Sequence, residues 1–176
     1  MSIYDRVHFR MISFVHDTLY SLFVNPYELL NAAGLKSGQK VLEVGCGPGF
    51  FTIPAAKIVG EKGKVYTIDV NPVAVETVRR KVKEKDLKNI EAILANASET
   101  GLPDESIDVA FLFGVIHALG DVDAVMREMH RVLKAKGVLS IQRSWWSEKK
   151  LLDAVTKKGL FSFREKIGRV FKFEKN

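Results

Sequence analysis

The stretch Glu43-Val44-Gly45-Cys46-Gly47-Pro48-Gly49 sets an acid two residues ahead of three alternate glycines, and a second acid, Asp69, follows twenty-four positions beyond Gly45. Glycines so spaced tolerate positive φ and remove side chains that would hold a ligand off the backbone. A glycine turn that opens a helix is a nucleotide-site arrangement, because unpaired N–H groups point outward at the helix start. The spacing is not the dinucleotide fingerprint Gly-x-Gly-x-x-Gly. Its third glycine comes one residue early, at Gly49, and Phe50 takes the place the fingerprint would use. Glu43 would repel a pyrophosphate and suits a ligand that carries positive charge. Asp69 is placed to accept hydrogen bonds from both hydroxyls of a ribose, if it ends the strand after the glycine helix.

The elements needed to position these residues are legible from the pattern. Residues 41–44 are a short Val-rich apolar run, read as a buried strand, and 51–59 carries apolar residues at helical spacing. A turn at 60–63 leads to a second strand over 64–70, and Asn71-Pro72 opens a helix running to about residue 85. Strands follow at 91–95 and 109–113, the latter apolar on both faces like a central parallel strand. Asp121 caps a helix over 122–133, whose His130 falls on the outside by spacing, and a fifth strand begins at Val138. The chain then predicts a helix over 148–158 and two alternating runs, 160–166 and 169–174, forming an antiparallel hairpin at the sheet edge. Ahead of the first strand, Ile12, Val15, Leu19, Leu22 and Phe23 share one helical face, and Asn25-Pro26 opens a short helix closed by Gly34.

The glycine stretch resembles the first motif of the class I S-adenosylmethionine-dependent methyltransferases, and the resemblance extends from about Lys36 to the C-terminus. It implies an α/β fold: a doubly wound, mostly parallel, seven-stranded Rossmann-like sheet with a C-terminal antiparallel hairpin. Residues 1–176 would then be a single methyltransferase domain, with 1–36 a helical segment covering the site and 37–176 the cofactor-binding core. The cofactor implied is S-adenosyl-L-methionine, giving S-adenosyl-L-homocysteine, with no metal. Glu43 would hold its amino acid end, Gly45, Cys46, Gly47 and Gly49 would shape the surface beneath it, and Asp69 would hold the ribose with Val70 against the adenine. Asn96-Ala97 resembles the Asp-Ala that reads the adenine edge. The departure to Asn keeps a carbonyl that can accept from an amine but brings no charge. Phe113 completes the expected cofactor set.

In this fold the reactive methyl lies beyond the end of the fourth strand, which makes His117 the candidate base or acceptor contact, against a purely structural role. His16 and Tyr20, four apart in the N-terminal segment, either contribute to the substrate pocket or pack at a seam. Trp145 and its neighbour Trp146 either wall that pocket or cover the sheet edge. The Asn/Asp-Pro-Pro-aromatic sequence that marks amino methylation of bases and protein glutamine is absent after strand four, and no cysteine lies near strands four to six. The pattern is loosely similar to the small-molecule branch that includes ubiquinone and menaquinone biosynthesis methyltransferases. The expected partner is therefore a small-molecule methyl acceptor, ahead of RNA, protein, or a role as an inactive cofactor-binding subunit.

Composition narrows the setting. With 176 residues the chain supports one core, and 47% hydrophobic residues with a mean hydropathy near zero describe an ordinary globular protein. No apolar run reaches the ~18 residues of a membrane span and no secretory signal is visible, so a cytoplasmic setting is expected. A single cysteine, Cys46, excludes an internal disulfide and thiolate metal clusters. The net charge of +6 is concentrated in the last thirty residues, which is either a solvated face or a surface for nucleic acid.

Overall fold

The computed structural model describes residues 24–176; His16, Tyr20 and the helical reading of the first twenty-three residues lie outside them. Helices α1 (Pro26–Ala33), α2 (Thr52–Val59), α3 (Pro72–Glu84), α4 (Val122–Val132) and α5 (Glu148–Thr156) surround seven strands. The strands are β1 (Lys40–Val44), β2 (Lys64–Asp69), β3 (Ile90–Leu94), β4 (Ile107–Phe113), β5 (Leu133–Gln142), β6 (Phe161–Ile167) and β7 (Val170–Lys175). Their order in the sheet is β3-β2-β1-β4-β5-β7-β6. β7 alone runs antiparallel, inserted between β5 and β6 by the tight return of the final hairpin. The chain order reverses between β1 and β4, and that reversal opens a crevice beyond the strands' C-terminal ends.

Alternation along the strands sorts the core into two layers. Val41, Val65, Val109, Phe111 and Phe113 pack under α1, α2 and α3, whereas Leu42, Val44, Ile68, Leu112, Leu139 and Ile141 pack under α4 and α5. Glu43 shares the parity of Val41 and so enters the first layer.

Helix starts follow the caps read in the sequence. Asn25, Asn71 and Asp121 each accept a backbone N–H from the first turn with the side-chain oxygen, and Gly34 closes α1 in the left-handed region at φ 91°.

Two expectations change. β5 begins at Leu133, five residues earlier than its apolar run suggested: Ile107 pairs with Leu133 and Val109 with Val138, so Lys134–Gly137 form an irregular excursion within the strand. Lys136 takes φ +61° there, the left-handed conformation of a turn, which is what the sequence pattern registers. His130 is half-buried, edge-on to Phe161 at 5.8 Å with Nε2 3.3 Å from the Asn176 carbonyl, because the returning hairpin covers that side of α4.

Candidate active site

β1 ends in the glycine turn, and every backbone N–H of that turn is already bonded within the protein. Gly45 and Cys46 donate to the Ile68 carbonyl at 2.8 and 3.1 Å, Gly47 donates to Asp69 Oδ2 at 3.0 Å, and Gly49 donates to the Cys46 carbonyl at 2.9 Å. Pro48 has no N–H to offer. The turn therefore cannot cradle a phosphate through its amides as a pyrophosphate loop does. Two of its glycines are constrained differently. A Cβ on Gly45, at φ +80°, would lie 2.5 Å from Val115 Cγ1, so the turn and the segment after β4 meet there in direct contact. A Cβ on Gly47, at φ +48°, would meet no protein atom within 4 Å.

The two acids occupy different environments. In the parallel register Glu43 lies beside Thr67 of β2. Its Oε2 accepts from the hydroxyls of Thr52, at the start of α2, and Thr67, at 2.5 and 2.7 Å. Only 2% of Glu43 is exposed. Burial pushes its carboxyl up to about 7, the nearby Asp69 charge adds to the rise, and the two hydroxyls partly offset it. The neighbouring Cys46 thiol is raised well above its ordinary range, chiefly by burial and then by the charges of Glu43 and Asp69, so it stays protonated. Asp69, at the end of β2, is half-buried; Oδ2 accepts from Gly47 and Oδ1 from the Asn71 N–H at 2.8 Å. Each oxygen keeps a lone pair for a ligand.

A cleft of about 370 Å³ opens beside these residues. Gly45, Asp69, Val70, Asn96 and Ala97 are brought together in its wall, with Val44, Ile68, Val115 and Leu119 supplying apolar surface. Val70 is 69% exposed. Among the described residues no lysine or arginine lines the cleft. Asn96 Oδ1 accepts from both the N–H and the hydroxyl of Ser98 at 3.0 Å, which leaves the Nδ2 donors as what this side chain offers a ligand. Glu43, Cys46, Gly47, Gly49 and Phe113 are not in that wall. Phe113 stands edge-on to Phe51 at 5.1 Å in the layer that also holds Glu43.

His117 sits on a single 3₁₀ turn, Ile116–Ala118, directly after β4; it is exposed, and its Nδ1 lies 3.1 Å from Ser144 Oγ. Trp145, beyond the end of β5, is 84% exposed, whereas Trp146 is half-buried with Lys150 Nζ 4.3 Å above its ring.

The sequence pattern did not single out Thr52, Thr67 or Glu128. A Thr two residues before Asp69, on the same strand face, is the available signal for Thr67. Glu128 is buried in α4 and accepts from the Thr100 N–H and hydroxyl at 2.8 and 2.7 Å and from Arg131 Nε and Nη2 at 2.8 and 2.7 Å. Burial would raise its carboxyl, but the Arg131 and Thr100 bonds win and hold it near 2. This clamp ties the base of the 95–102 loop to α4 and so fixes the cleft wall that carries Asn96 and Ala97.

The fold is a doubly wound α/β sheet with a cleft at the point where its strand order reverses, the place where such sheets bind ligands. Comparison with known proteins places it further. A family model described as a methyltransferase domain matches residues 35–170. A demethylmenaquinone methyltransferase of Geobacillus stearothermophilus is 33% identical over 111 residues, 63% of this chain and 47% of that one. A ubiquinone/menaquinone biosynthesis C-methyltransferase of Vibrio vulnificus is 34% identical over 113 residues, 64% of this chain and 44% of that one. The chain thus spans about half the length of these relatives. Among solved structures, a SAM-dependent methyltransferase from Aquifex aeolicus superposes with a TM-score of 0.79 at 26% identity, covering 96% of both chains. A methyltransferase structure from Methanococcus maripaludis shares the fold, with a TM-score of 0.81 at 16% identity over 100% of this chain and 94% of that one.

The chain belongs to the methyltransferase domain family and has the fold of its class I S-adenosylmethionine-dependent members. S-adenosylmethionine is the cofactor of that class, and the residues present fit it. A carboxylate with spare lone pairs stands in a cleft that holds no lysine or arginine among the described residues, a second acid is buried in the neighbouring strand, and no described atom fills the space of a Gly47 Cβ.

Proposed function

We propose that this protein transfers a methyl group from S-adenosylmethionine to a small-molecule acceptor. The observation that carries the cofactor reading is the glycine turn with its amides spent, flanked by two acids and opening on a cleft whose wall, among the described residues, holds no lysine or arginine. The Lys81 ammonium is bonded to the Pro48 carbonyl of the turn, outside that wall. The acceptor class is supported by the names of the relatives, which act in quinone biosynthesis. It is also supported by the basic C-terminal third. Lys157, Lys158, Arg164, Lys166, Lys172 and Lys175 are all in ion pairs with Asp or Glu, which lowers the net positive field that a nucleic acid would need.

When bound, the cofactor supplies a methyl group activated by its sulfonium, which an acceptor atom takes by in-line displacement, leaving S-adenosylhomocysteine. The protein's share is alignment, charge balance and exclusion of water. In this reading Asp69 takes the ribose hydroxyls, Val70 covers one adenine face, and Asn96 and Ala97 meet the adenine edge, Asn96 as a donor. Glu43 balances the ammonium end from below, directly or through water, while Gly45, Cys46, Gly47, Gly49 and Phe113 give the surface its shape. His117, held at Nδ1 by Ser144, presents Nε2 to accept a proton from an acceptor that enters protonated. Trp145 walls the acceptor side.

Incubation with methyl-labelled cofactor and fractionated cell extract tests this reading. Label is expected in the small-molecule fraction; label confined to RNA or protein would reject it.

A further inference from the structure

Arg143 stands one residue beyond β5, whose last residue, Gln142, is the register partner of Phe113 at the end of β4. The next residue, Ser144, is the one that holds His117. The backbone of Arg143 is thus placed on the acceptor side of the proposed reaction, next to the residue that holds His117. Its Nη1 reaches only the Trp146 carbonyl, at 3.3 Å, and its Nε is buried with no hydrogen-bond partner. No carboxylate among the described residues pairs with it. Glu148 feels its charge but is held by Lys166. Arg169 meets the backbone of Arg143, accepting from its N–H at 2.9 Å and donating Nη2 to its carbonyl at 3.3 Å.

A buried donor without an acceptor costs roughly 1–3 kcal/mol, so an orphaned guanidinium beside a reactive site calls for an acceptor from outside the protein. The edge without a partner is the Nε–Nη2 side, the fork that matches two oxygens of one acid, and a ligand reaches its buried Nε only if the side chain swings outward. The exposed indole of Trp145 lies two positions on, ready to cover a flat apolar body.

We infer that Arg143 receives a carboxylate of the methyl acceptor, which is therefore an organic acid on an apolar or aromatic frame. This rests on the methyltransferase reading for the word acceptor, but the binding step stands alone. Trp145 and Trp146 are the chain's two tryptophans, so their fluorescence reports on this spot.

The experiment titrates the full chain, saturated with S-adenosylhomocysteine, with 4-hydroxybenzoate and with the neutral 4-hydroxybenzamide. The acid is expected to change the emission saturably and to bind at least about tenfold more tightly than the amide, ~1.4 kcal/mol. Arg143→Met is expected to erase that preference while melting no lower than the parent, since it removes an orphaned donor. Arg143→Lys, which keeps the charge, is expected to recover part of it and carries the test if the Met variant folds poorly. Equal affinity for acid and amide, absence of any response, or a preference that survives Arg143→Met would overturn the inference. Calorimetry with S-adenosylhomocysteine separates the two readings. Failure of the parent protein to bind it counts against methyl transfer, while the acid–amide comparison still decides Arg143.

Discussion

The two halves of the crevice are finished to different degrees. On the side of β1, β2 and β3, each polar group is bonded: Glu43 to two hydroxyls, Asp69 to two amides, Asn96 to Ser98. On the side of β4 and β5, Arg143 keeps an orphaned Nε, Trp145 stands in solvent, and His117 has one partner. The first half is preorganised for one fixed ligand, so binding there demands little rearrangement. The second still lacks a counterpart for its charge, which is what an acceptor must bring.

Four measurements test this contrast. The largest effect is expected from Gly45→Ala, where left-handed backbone costs ~1–2 kcal/mol and the contact with Val115 a further ~1–3 kcal/mol. Thermal unfolding should fall by several degrees. Gly47→Ala, at φ +48° but with no described atom in its way, carries the same backbone cost without the clash, so it should lose less stability and weaken cofactor binding as well. If both variants lose stability alike, the open space at Gly47 has no bearing on the ligand.

Glu43 gives a pH signature of almost the same size. Its carboxyl titrates near 7 in the fold against 4.5 for an ordinary glutamate, so the native state keeps its proton where the unfolded chain has lost it. The protein should lose roughly 3 kcal/mol of stability as pH rises from about 4.5 through 7 from this group alone. Denaturant titrations of Glu43→Gln across that window should show a flatter profile; an unchanged slope would refute the assignment.

Asp69→Ala should weaken S-adenosylhomocysteine binding at least tenfold by calorimetry, because a charged acceptor is worth ~1.5–3 kcal/mol. Unaltered affinity would remove it from the ribose. The smallest effect on binding belongs to His117→Ala, expected to leave cofactor affinity in place while slowing turnover on a protonated acceptor. A loss of cofactor affinity there would move His117 from the open half to the finished one.

How much of this could be read from the residues divides along the same line. The strand–glycine–helix unit and the caps at Asn25, Asn71 and Asp121 are local patterns, and local patterns survive folding. The bonds that make the first half complete are not local. Thr67 meets Glu43 only because β1 and β2 pair in one register, and Glu128 meets Thr100 across twenty-eight residues of chain. The early start of β5 was hidden because Lys134–Gly137 has the composition of a turn and, at Lys136, its conformation. Arg143 gave no signal at all: an arginine at a strand end is ordinary until its neighbours are seen to leave it unmatched.

The burial of Glu43 has one more consequence, for how association with the cofactor would be weighed in solution. A cation arriving above this acid favours its ionised form, so below neutrality each binding event should expel hydrogen ions into the medium. The heat recorded would then vary with the ionisation enthalpy of the buffer chosen, and repeating the titration in phosphate and in imidazole would count the ions released. Identical heats in the two buffers would mean the acid keeps its proton when the ligand arrives.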